Sequence, residues 1–180
     1  MEDMIALLRQ SYIEKIEHHL GKNMIIILTG QRRVGKSYIL RLFKDKISEN
    51  KENNIVYIDK EKYMFDDIRT YHDLNAYIDE HRDPQKMNYI LVDEIQDIEG
   101  FEKSIRSYYE DPDVEIIITG SNSSMLSSDL SNKIGGRYKE IYVQSISYEE
   151  FMTFHNLSDS DETVSKYIQF GGLPGLIRYG

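Results

Sequence analysis

Apolar side chains recur at Ile5, Leu8, Tyr12, Ile16 and Leu20, spaced by three or four residues. That spacing marks one face of a helix, and Gly21 follows where helices commonly end. The pattern then changes period. Met24-Ile-Ile-Ile-Leu28 is a five-residue apolar run, rich in β-branched side chains and closed by Thr29-Gly30. It is too short for a helix and predicts a buried strand. Helical spacing returns between Ser37 and about Ser48 through Ile39, Leu40, Phe43 and Ile47. The alternation repeats: a strand over 55–58 and a helical pattern around Ile68, Leu74 and Ile78, then a strand over 89–92 and a helix over 101–108. Residues 114–118 predict a fourth strand, and residues 138–143 a fifth, beyond a Ser-rich stretch that runs from Ser121 to Ser131. Ser147-Tyr-Glu-Glu150 has the S-x-x-E spacing of a capping box and predicts one more helix. Short strands separated by helices predict an α/β fold, a parallel sheet with helices on both faces.

Composition narrows the class. The chain has 180 residues, no Cys, no Trp, and 22 basic against 31 acidic side chains. That length predicts one globular domain, or one plus a fragment, with enough core to fold without staples. Without cysteine, disulfide scaffolds, thiolate zinc sites and thiol nucleophiles are excluded. The longest apolar run is 24–28, and Met1-Glu2-Asp3 is an acidic start. No membrane span or signal peptide is therefore expected, and a soluble, cytoplasmic protein is. The net charge of -9 opposes binding to phosphate backbones, which relies on Lys and Arg displacing counterions. Nucleic acid is not indicated by this segment. His18, His19, His72, His81 and His155 lack metal-ligand spacing and suit solvent-facing or capping positions. The tail from Phe170 to Gly180 is dense in Gly and apolar residues without a polar close, so a longer protein continuing past Gly180 is expected.

Candidate chemistry lies between the first strand and the second helix. Gly30-Gln31-Arg32-Arg33-Val34-Gly35-Lys36-Ser37 fits G-x-x-x-x-G-K-[ST], the phosphate-binding loop, and Tyr38 follows it. The physical logic holds position by position. Gly30 and Gly35 allow positive φ and close approach to an anion, successive N–H groups point at phosphates, and the helix starting near Ser37 adds its positive end. Lys36 would contact the β- and γ-phosphates of ATP, and the Ser37 hydroxyl would ligate Mg²⁺. Arg32 and Arg33 either add positive charge near the polyphosphate or point into solvent.

Tyr89-Ile-Leu-Val-Asp93-Glu94 supplies the second half. An apolar strand ending in two acids places Asp93 at the carboxyl edge of the sheet, where open α/β sheets bind ligands. Asp93 can hold the Mg²⁺ hydration shell and Glu94 can orient or deprotonate an attacking water. Alone the pair would be weak, since strands often end in acidic turns; downstream of a phosphate loop it is the expected partner.

Together with Ile90 to Gln96 (hydrophobic-D-E-I-Q), Ile118-Thr-Gly-Ser-Asn122, Gly135-Gly-Arg137 and Gly171-Gly-Leu-Pro174, these motifs resemble a prokaryotic AAA+ P-loop ATPase. The lineage resembled is the bacterial and archaeal one whose core precedes a winged-helix segment and often a nuclease-like domain. The resemblance implies a three-layer P-loop NTPase sandwich with a five-stranded parallel sheet of order 5-1-4-3-2. It divides the chain into an N-terminal helix over 1–20, an ATPase core over 21–155, and the start of a truncated lid or winged-helix region over 156–180. It brings Arg9, Gln10 and Tyr12 over the nucleotide base, with a packed helix as the main alternative and one that already explains Tyr12, and Arg178 near the position of a lid arginine. A polar residue past the fourth strand would meet the γ-phosphate or the water; Thr119, Ser121 and Asn122 compete, with Ser121 favoured, and each could instead cap the next helix. Arg137 is the candidate arginine finger, acting within the chain or on a neighbouring subunit, with a surface ion pair as the alternative. Gln96 matches the motif without an assigned role.

The implied function is ATP binding and Mg²⁺-dependent hydrolysis that drives an appended C-terminal domain, slow in this segment, in a possible homo-oligomer. The principal alternative is a nucleotide-dependent switch, in which ATP reorganises the 121–131 segment and the tail. A small-molecule P-loop kinase ranks third, because Glu beside Asp at 93–94 suits water activation and no arginine-rich lid is visible.

Overall fold

The computed structural model describes residues 2–120, 133, 135–170 and 172. Along them run α1 (Glu2–Glu17), β1 (Ile25–Thr29), α2 (Lys36–Ser48), β2 (Asn53–Asp59), α3 (Tyr71–His81), β3 (Met87–Asp93), α4 (Phe101–Tyr108), β4 (Val114–Thr119), β5 (Tyr138–Tyr142), α5 (Tyr148–His155) and α6 (Asp161–Phe170). The strands pair in parallel in the order β2-β3-β4-β1-β5. This is the expected 5-1-4-3-2 order seen from the other edge.

Because successive side chains of a strand face opposite ways, the sheet feeds two separate cores. Ile25, Ile27, Ile58, Ile90, Val92, Ile116 and Ile118 pack with Leu74 and Ile78 of α3 and Phe101 and Ile105 of α4. Ile26, Leu28, Leu91, Ile117 and Ile141 pack with Ile13 and Ile16 of α1 and Ile39, Leu40 and Phe43 of α2. Helices on both faces make three layers. The near-continuous apolar stretches of β1 and β4, every residue of which is buried, follow from burial on both sides.

Two boundaries differ from the periodic pattern. Ile68 does not begin the third helix: it lies in the connection after β2, beyond a 3₁₀ turn at Tyr63–Phe65, and its side chain is buried there. α3 starts later because Thr70 and Asp73 cap it reciprocally, the Thr70 side chain accepting from Asp73 N–H while Asp73 accepts from Thr70 N–H at 2.8 Å. The expected capping box at Ser147 and Glu150 opens α5. α6 is an element the periodic pattern did not predict. Past α6, Gly172 accepts a hydrogen bond from Ile146 N–H at 2.8 Å, and a Cβ there would stand 2.4 Å from Ile146 O. Among the described residues no helix is long and apolar enough to cross a membrane.

Candidate active site

β1 delivers the chain to the carboxyl edge of the sheet and the 30–37 loop turns it into α2. Gly30 has φ 140°, and a Cβ there would stand 2.3 Å from Val143 O, so only glycine fits. Gly35 takes φ 100° at the N-cap of α2, which no side chain caps. The start of the helix, with its positive end, is thus open to an anion in place of a side-chain cap. Lys36 is 3% exposed, and its Nζ donates to Gly30 O at 3.1 Å and Gln31 O at 2.9 Å. Burial holds the ammonium below the usual lysine range, against the attraction of Glu94 and Asp93. Val34 is buried, Gly35, Ser37 and Tyr38 are half-buried, and Gln31, Arg32 and Arg33 are exposed. The cradle is thus made of backbone, with the two arginine side chains outside it.

Asp93 ends β3 in register with Asp59 of β2, and both carboxyls are buried. Asp93 is 0% exposed; Thr119 Oγ1, at the tip of β4, donates to its Oδ1, and Oδ2 is buried without a hydrogen-bond partner. Burial pushes this carboxyl above the usual range, hydrogen bonding from Thr119 and Ser37 opposes the rise, and the charges of Asp59 and Glu94 add to it. A carboxylate oxygen without a partner and a nearby serine hydroxyl are oxygen donors of the kind hard divalent cations take. Ser37 and Asp93 are the residues that could hold such a cation.

Glu94 adopts the left-handed conformation, φ 53°, ψ 54°, which non-glycine residues occupy at a cost. Its N–H donates to Thr119 Oγ1 at 2.9 Å, so one hydroxyl serves both acids. Its carboxylate accepts a hydrogen bond from Gln96 Nε2, while Gln96 Oε1 is buried and unpartnered.

Lys36, Ser37, Asp93 and Glu94 therefore converge on one edge of the sheet. Arg137 does not join them. It precedes β5, its carbonyl accepts from Ile25 N–H at 3.1 Å, and Ile25 lies at the opposite end of β1 from the loop. Its guanidinium is 3.6 Å from Glu110 and donates to the Tyr109 hydroxyl at 3.2 Å. Ser121, Asn122 and Arg178 lie outside the described residues. Thr119, the third competitor for the γ-phosphate, is 0% exposed and engaged by Asp93 and Glu94.

Residue patterns alone did not assign Asp59, Gln96 or Arg9 to the positions they hold. Asp59 is signalled by another apolar strand ending in an acid, a cue available at 55–59. Arg9 is 2% exposed and donates to Val34 O and Gln144 O, both at 3.2 Å, and no spacing rule announces such contacts. Tyr12 packs in the core, and its hydroxyl accepts from Gln144 N–H at 3.1 Å.

A five-stranded parallel sheet of this order, with a glycine-bounded anion cradle after β1 and adjoining acids after β3, defines a P-loop nucleotide-binding core. The chain belongs to the AAA domain family, which matches residues 22–152. It is 30% identical over 176 residues to an uncharacterized protein of Haemophilus influenzae, covering 94% of this chain and 44% of that one. Among solved structures it is similar to Cdc6p from Pyrobaculum aerophilum, with TM-score 0.63, 13% identity, and coverage of 91% of this chain and 55% of that one. It is also similar to AMPPCP-bound DnaA from Aquifex aeolicus, with TM-score 0.60, 15% identity, and coverage of 95% and 58%. The chain thus spans less than half of its Haemophilus relative.

Proposed function

We propose that this chain binds ATP with Mg²⁺ and hydrolyses it, and that the cycle drives a C-terminal domain of a longer protein. The observation carrying this reading is the convergence of Asp93, Thr119 and Glu94 on the uncapped start of α2, beside the buried ammonium of Lys36. The loop N–H groups and Lys36 bind the triphosphate, Lys36 exchanging its loop carbonyls for phosphate oxygens. Ser37 and Asp93 are the residues that would hold Mg²⁺, which when bound neutralises charge on the β- and γ-phosphate oxygens. Glu94 takes a proton from a water whose oxygen attacks the γ-phosphorus as the bond to the ADP oxygen breaks. With Thr119 engaged by the two acids, contact to the γ-phosphate falls to Ser121 or Asn122. Arg137, at the far end of β5, serves a neighbouring copy rather than its own site, which makes a homo-oligomer the working assembly.

Calorimetry with ATP and a phosphate-release assay test the reading on Lys36→Ala and Glu94→Gln. Lys36→Ala is expected to lose most ATP affinity. Glu94→Gln is expected to bind ATP like the parent and turn over about 10² to 10³ times more slowly. Parent-like binding and turnover in both variants would remove the assignment.

A further inference from the structure

Glu94 is held at three points, and the third involves a residue the hydrolysis scheme does not use. Its backbone is fixed in the left-handed conformation and its N–H is tied to Thr119. Beyond it the chain closes a tight turn, with Asp97 N–H donating to Glu94 O at 3.1 Å and Ile98 N–H to Ile95 O at 3.0 Å, anchored by the fully buried Ile95. That turn brings the Gln96 side chain back over the Glu94 carboxylate, which accepts from Gln96 Nε2. The orientation of the amide follows from chemistry: an ionised carboxylate only accepts, so the NH₂ end must face it. The other end, Oε1, is thereby left buried with no donor.

The direction of the held carboxylate matters as much. Glu94 is the acid whose charge acts most strongly on Lys36, ahead of Asp93, yet Lys36 Nζ donates to the carbonyls of Gly30 and Gln31.

We infer that Gln96 is a positioning residue for hydrolysis: its carboxamide holds the Glu94 carboxylate in the inward stance that water activation needs. The inference rests on Glu94 acting as the base. Gln96 touches neither phosphate nor metal in this scheme and works only through Glu94.

The test compares Gln96→Ala and the volume-conserving Gln96→Met, each alone and combined with Glu94→Gln, for ATP affinity by calorimetry and for kcat and KM by phosphate release. Both single variants are expected to keep ATP affinity within about threefold and to lose about tenfold or more in kcat, the size expected when a general base is misplaced. In the Glu94→Gln background, neither is expected to slow the residual turnover further. Parent-like kcat in both single variants overturns the inference while leaving the ATPase reading intact. So does an equal further loss in the Glu94→Gln background, or a loss of ATP affinity that accounts for the loss of rate. A parent that binds ATP without releasing phosphate overturns both.

Discussion

The Thr119 hydroxyl stands between two acids and serves both, donating to Asp93 Oδ1 and accepting from the Glu94 N–H. With one hydrogen it can satisfy only one acceptor, so the direction of the chain from Glu94 to Thr119 to Asp93 is fixed. Removing the hydroxyl would take one hydrogen bond from each of two polar groups at once, the Glu94 N–H and a carboxyl already pushed up by burial. Thr119→Val, which keeps the shape, is therefore expected to cost about 2 to 4 kcal/mol in urea unfolding, near the sum of two lost hydrogen bonds, one of them to a carboxyl. Thr119→Ser keeps the hydroxyl and should stay within about 1 kcal/mol of the parent, the loss of one buried methyl. Turnover should follow the same order, with the Val variant well below the Ser variant. Equal stability of the Val variant and the parent would mean that water replaces the hydroxyl.

At the scale of elements, the loop is held from outside as well as from within. Arg9 of α1 reaches across to Val34 O, and in a trans peptide the N–H of the next residue points opposite to that carbonyl. Pinning Val34 O on Arg9 thus fixes the direction of the Gly35 N–H, away from Arg9. Arg9→Met, which keeps the bulk of the stem, is expected to weaken ATP binding about tenfold, or about 1.4 kcal/mol. Unchanged affinity by calorimetry would show that the loop holds its own shape. This clamp also marks what could be read beforehand. Strands β1 and β4 are legible because a sheet buried on both faces demands unbroken apolar runs, and the 30–37 loop because its geometry admits few residue types. Gln96, Arg9 and the commitment of Thr119 were not, because each depends on a partner that spacing along the chain does not reveal. Nor was the start of α3: Ile68 continues a helical spacing, but the Thr70–Asp73 cap decides where the helix begins.

Across the whole molecule, two buried carboxyls sit at opposite ends of neighbouring strands and answer to different needs. Asp93, at the carboxyl edge of β3, keeps a buried oxygen without a hydrogen-bond partner. Glu115, near the amino end of β4, belongs to no site: it accepts from Gly21 N–H at 2.6 Å and ties the connection between α1 and β1 to the centre of the sheet. Burial pushes Glu115 above the ordinary glutamate value of 4.5, and the Gly21 hydrogen bond only partly opposes this. The folded state thus binds this proton more tightly than the unfolded chain. The resulting stability is fully present below the unfolded value and is lost as pH rises through the folded one. Glu115→Gln keeps an acceptor for Gly21 and removes the titration, so the gain it brings should depend on pH. Thermal melts of the two proteins should show the variant gaining on the parent as pH rises above 4.5, as the parent takes up a buried charge on the strand. Other carboxylates titrate in both proteins alike, so the difference in Tm isolates this group within a chain of net charge -9. A Tm difference that stays constant across that range would mean that Glu115 keeps an ordinary affinity for its proton, and that the contact to Gly21 offsets its burial in full.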